Sequence, residues 1–179
     1  MKRPLLMVLA AVFICTCIFQ AQTQTPMQTP PADPMSTEAK NAYNSVKNYL
    51  LKAAEKMPEE NYAFKPTPEM RSFGELLAHI SDAQTGTCSM VNGAPKKGDA
   101  ASKKTKAELV AAIQASCAEC DTAFSSLTDA TAAQMIKTGR GQRSKLGALV
   151  GVTTHDNESY GYMSVYFRLK GLVPPSSEK

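Results

Sequence analysis

The 179-residue chain carries 43% hydrophobic, 20% charged and 7% aromatic residues, with 5 Cys, 2 His, no Trp and a formal charge of +4. That length and apolar fraction suit one domain with a real core, and they exclude a collagen-like repeat or a small scaffold held by disulfides alone. The charge is too mild to point to nucleic acid, and two histidines cap any imidazole metal site at two such ligands. The chain opens with Lys2 and Arg3 ahead of an apolar run from Leu5 to Phe19, closed by Gln20 and Gln22. The run is shorter than the roughly 20 apolar residues of a spanning helix, so residues 1–22 read as a secretory signal peptide. Ile-Cys-Thr-Cys at 14–17 distantly resembles a lipoprotein box without its usual Leu and Gly/Ala, which makes lipid anchoring the alternative. The expected mature chain is exported, periplasmic or secreted, has no transmembrane helix, and keeps only Cys88, Cys117 and Cys120. Residues 23–35 hold Pro26, Pro30, Pro31 and Pro34 and read as a disordered tether.

From residue 36 to 176 the apolar positions recur at helical spacing, and no run of period two stands out. The first predicted helix covers about 36–57, with Ala39, Tyr43, Val46, Leu50, Ala53 and Met57 on one stripe. The second opens on the capping box Ser72-Phe73-Gly74-Glu75 and runs to about Val91 before Asn92-Gly93. Its stripe is Phe73, Leu76, Leu77, Ile80 and Ala83. A second capping box, Thr105 to Glu108, starts the third helix, with Leu109, Ile113, Cys117, Cys120, Phe124 and Leu127 inward. A short helical turn is expected at 129–136. The fourth helix runs from near Ser144 to about Lys170, stopped by Gly171 and Pro174-Pro175. Four such segments predict an all-α four-helix bundle, and the long loop between the second and third allows those two to run parallel.

His79 on the second helix and His155 on the fourth are the candidates for chemistry. Val152, His155, Ser159, Met163 and Tyr166 share one face of the fourth helix and are expected to line the bundle interior. Two imidazoles facing each other from different helices can chelate a divalent ion such as Zn or Ni, whereas a catalytic zinc takes three protein ligands and a water. Asp82 lies one turn from His79 and is the nearest carboxylate by spacing; Asp156 and Glu158 are offset from the His155 line. The alternative is that each histidine is simply a polar residue satisfied at the edge of the core. Cys117-Ala-Glu-Cys120 has C-x-x-C spacing, but it sits inside a predicted helix rather than at the N-terminus that would stabilise a thiolate.

The segment Met70-Arg-Ser-Phe-Gly-Glu-Leu-Leu-Ala-His79-Ile, the later His155-Asp-Asn-Glu-Ser-Tyr-Gly-Tyr, and the ending Tyr166-Phe-Arg-Leu-Lys-Gly-Leu-Val-Pro-Pro resemble the DinB-like family. The resemblance implies an up-down-down-up bundle, often a homodimer, with a divalent metal held by one histidine of the second helix and two of the fourth. It also implies relatives that act as thiol-dependent transferases and hydrolases. Carried onto this chain, His79 and His155 match two ligand positions, and the third holds Ser159, a much poorer ligand than imidazole. Asp82 or water would have to complete the shell.

With the second and third helices parallel, as the loop allows and the resemblance implies, Cys88 and Cys120 stand at nearly equal height and are expected to pair. Cys117 would then stay reduced. Tyr166 and Arg168 match positions that tie the end of the last helix to neighbouring backbone. Lys96, Lys97, Lys103, Lys104 and Lys106 lie in or next to the crossover loop without interleaved aromatics, so no nucleic-acid partner is expected. The expected function is a small-ligand domain that is non-catalytic or binds metal weakly. An active metal-dependent transferase or hydrolase and a structural dimerisation module are the alternatives.

Overall fold

The computed structural model describes residues 32–139 and 141–178; the predicted signal segment and residues 23–31 of the tether lie outside them. The first helix, α1, is Pro34–Lys56. It begins inside the predicted tether, because proline is compatible with the first helical position, where no N–H is needed. Its start is fastened by Asp129, whose carboxylate accepts from the backbone N–H groups of Ser36 at 2.8 Å and Met35 at 3.2 Å. Asp33 reciprocates by accepting from the Asp129 N–H at 2.8 Å.

Helices α2 (Phe73–Val91) and α3 (Lys106–Ser126) both begin with the predicted capping boxes. They run parallel. Near their starts Leu109 packs beside Gly74, and near their ends Cys88 and Cys120 are bonded, with Cα atoms 4.9 Å apart. Helix α1 runs antiparallel to α3, since Lys47 pairs with Asp121 while Lys106, at the other end, donates to the carbonyls of Glu55 and Met57. The last helix, α5 (Lys145–Leu169), is antiparallel to α2: Tyr166 meets Arg71, and His155 meets His79. The order is therefore up-down-down-up, a four-helix bundle with the long crossover between α2 and α3.

The expected helical turn at 129–136 is only partly present. A single turn, α4 (Asp129–Ala132), is followed by a hairpin of β1 (Met135–Thr138) and β2 (Gly141–Ser144), with Met135 opposite Ser144. The strands are four residues each and largely solvated, so no buried alternation marks them in the sequence. Gly141 has φ +111°, a conformation that L side chains rarely adopt, which suits the glycine to the turn.

The core forms two apolar blocks along the bundle axis. One gathers Phe73, Ile80, Ile113, Met163, Tyr166 and Phe167; the other gathers Tyr43, Cys88, Phe124, Leu149 and Val152. Gln84 and Asp156, both buried, fall between them in the order of their helices, and the buried Ser116 lies on the third helix at the edge of the first block. Val150 and Leu169 of the last helix are exposed. Among the described residues no helix is long and apolar enough to cross a membrane.

Candidate functional site

The capping box of α2 fixes the phase of that helix. Ser72 Oγ accepts from the Glu75 N–H at 3.2 Å, and Glu75 Oε2 accepts from the Ser72 N–H at 2.7 Å. Two turns on, His79 points toward α5. That helix is started by Ser144, whose hydroxyl accepts from the Gly147 N–H at 3.0 Å. The two imidazoles meet with Nε2 atoms 3.1 Å apart and rings inclined at 66°. One Nε2 donates and the other accepts. Both rings are partly buried, and burial, reinforced by the Arg71 guanidinium and His155, holds the His79 pKa below the usual imidazole range.

His79 also stands on the wall of a cleft of about 820 Å³ between the start of α2 and the crossover loop. Arg71, Lys104 and Lys106 line it together with Glu59 and Glu69. Val152, Met163 and Tyr166 are packed in the two apolar blocks instead, and the open cleft is walled by other residues. Tyr166 ties α5 to the loop before α2, its hydroxyl donating to the Arg71 carbonyl at 2.5 Å.

The other ligand candidates are placed as follows. Ser159 is buried on α5, one turn after His155. Asp82 also lines the cleft, but its two oxygens are engaged by the crossover loop: Oδ1 accepts from the Ala100 N–H at 2.8 Å and Oδ2 from the Ala101 N–H at 3.2 Å. The two imidazoles meet, and among the described residues no three His, Cys, Asp or Glu side chains are gathered to hold a metal ion. Two imidazoles fall short of the three protein ligands of a catalytic zinc.

Sequence reasoning missed the groups behind His155. Asp156 is completely buried; its Oδ2 accepts from Gln84 Nε2 at 2.7 Å, and its Oδ1 has no hydrogen-bond partner, with His155 Nδ1 at 3.6 Å. Burial pushes the Asp156 carboxyl above the usual range, and its contacts with His155 and Gln84 oppose that shift. Gln84 is held in turn by Ser116, whose hydroxyl donates to Gln84 Oε1 at 2.7 Å, with the buried Cys117 thiol 3.6 Å from the same oxygen. Burial pushes that thiol up to about 12, consistent with an inert cysteine. The available signal was polar residues at inward positions: Gln84 continues the stripe of Leu77 and Ile80, and Ser116 that of Ile113.

The DinB superfamily model matches residues 42–163, which include both histidines and Ser159. A crystal structure of a DinB-like protein from Bacillus cereus has the same fold, with a TM-score of 0.66 at 17% identity, covering 78% of this chain and 95% of that one. No curated protein matches the chain. With the family model spanning more than half of its length and the bundle topology in agreement, the chain belongs to the DinB superfamily.

Proposed function

We propose that the chain is an exported DinB-like domain that takes a small ligand in the cleft beside His79, holds a divalent metal such as Zn or Ni only weakly, and does not carry out metal-dependent catalysis. The observation that carries this reading is the donor set. His79 and His155 meet at 3.1 Å, the third family position is Ser159, and Asp82 is committed to backbone amides. Export is supported by Lys2, Arg3 and the apolar run to Phe19, and by the Cys88–Cys120 bond, which suits an oxidising compartment. Elemental analysis of the purified protein tests the reading, with sub-stoichiometric metal expected. Near-stoichiometric Zn or Ni that is lost in both His79→Ala and His155→Ala would overturn it in favour of a metal-dependent transferase or hydrolase.

A second reading, a homodimer, is favoured by α5. Val150, Tyr162, Val165 and Leu169 are each about half exposed and fall within one arc of that helix, which exposed Thr154 and Glu158 share.

A further inference from the structure

Asp156 is the one buried carboxylate next to the histidine pair, and its surroundings fix which way it faces. Gln84 Nε2 donates to Asp156 Oδ2, and Ser116 donates to Gln84 Oε1. The other carboxylate oxygen, Oδ1, is left without a hydrogen bond inside a completely buried side chain, and His155 Nδ1 stands 3.6 Å from it. An orphaned buried acceptor is costly, more so when charged, while a few tenths of an ångström of ring movement would bring Nδ1–H into bonding range.

We infer that Asp156 is a positioning residue for His155: its Oδ1 takes the Nδ1 proton of His155 and leaves the Nε2 lone pair of that ring aimed at His79. The direction of the 3.1 Å contact then follows. His79 donates through Nε2–H, His155 accepts, and the order Asp156–His155–His79 runs from the buried layer to the wall of the cleft. Of the two rings, His79 is the one that must move its Nε2 proton before an electrophile can sit between them; His155 is already set. This goes beyond the reading of weak metal binding and stands whether or not the protein takes up a metal.

The test is long-range 1H–15N correlation on the 15N-labelled full chain, at a pH where both imidazoles are neutral. With two histidines in the chain, His79→Gln assigns the rings. The expected result is an Nδ1–H form of His155 and an Nε2–H form of His79. In Asp156→Asn, with Gln84 Nε2 still donating to the amide oxygen, the Asn NH2 group turns toward His155 Nδ1. The major tautomer of His155 should then invert to Nε2–H, and that of His79 to Nδ1–H. An Nε2–H form of His155 in the unaltered protein would overturn the inference. The first measurement needs no variant, so it decides the question even if Asp156→Asn does not fold.

Discussion

Asp82 Oδ1 accepts a 2.8 Å hydrogen bond from the Ala100 N–H, and this bond closes the crossover loop onto the middle of α2. Gly98 lies in the same contact: a Cβ there would be 2.2 Å from Asp82 Oδ1 and 2.6 Å from its Cα. Asp82 is thus a loop anchor. Asp82→Ala should lower unfolding free energy by about 1–3 kcal/mol, from the lost charge-assisted bonds, and leave zinc titration curves unchanged. Gly98→Ala should cost about 1–3 kcal/mol by overpacking against backbone that cannot easily retreat. Urea unfolding measures both; a weaker zinc response in Asp82→Ala would return that carboxylate to the metal shell.

Restoring the missing imidazole gives the most direct check on the site. Four-ligand structural zinc is worth about 10–16 kcal/mol, or roughly 3 kcal/mol for each ligand, so Ser159→His should tighten zinc or nickel binding by about two orders of magnitude. Isothermal titration would show this against the unaltered protein. No gain would mean that position 159 does not converge with His79 and His155.

The disulfide spans 32 residues of sequence separation and encloses the entire crossover. Loop-closure entropy for that length corresponds to about 3–4 kcal/mol of stability. The double variant Cys88→Ala with Cys120→Ala should therefore melt roughly 10 °C lower, as should the reduced protein, judged from the thermal response of a domain of this size. Mass mapping without reductant should find Cys117 as a free thiol in the described part of the chain.

Much of this was legible in the sequence, and the reasons are specific. The capping boxes at Ser72 and Thr105 act within four residues, so spacing alone placed the starts of α2 and α3. The pairing of Cys88 with Cys120 could be anticipated because it depends on axial height, which counting residues along two parallel helices supplies. The hairpin could not be read, because strands of four solvated residues leave no apolar alternation. Asp156 was the harder omission. Its offset from the His155 line suggested irrelevance, yet adjacent helical residues diverge by about 100°, which lets one face the histidine pair and the other the polar layer.

Acid should loosen the N-terminus of α3. Glu108 accepts from the Lys104 and Thr105 N–H groups, and these bonds hold its carboxyl down to about 2, against the usual 4.5. The unfolded chain therefore takes up that proton first, and the contribution of Glu108 to stability is lost as pH falls from about 4.5 to about 2. Glu108→Gln should flatten the decline of melting temperature across that window. An unchanged slope would show that the cap contributes nothing there.

If the exposed arc of α5 joins two copies, charge placed on it should separate them. Val165→Glu with Leu169→Glu is expected to shift sedimentation from dimer to monomer while helical circular dichroism stays unchanged, since both side chains already face solvent in the single chain. A protein that is monomeric before the change removes the dimer reading.

The covalent bond between α2 and α3 lies beyond the Gln84–Ser116–Asp156 layer as seen from the cleft, so the bundle is stapled at one end only. Breathing that admits a ligand beside His79 is then expected to work like tweezers, with the pivot near Cys88 and the Asp82 bonds to Ala100 and Ala101 resisting the opening. Widening is greatest at the mouth and dies away toward the buried layer. Asp156 and His155 sit close to that pivot, where the opening strokes of the helices would displace them least.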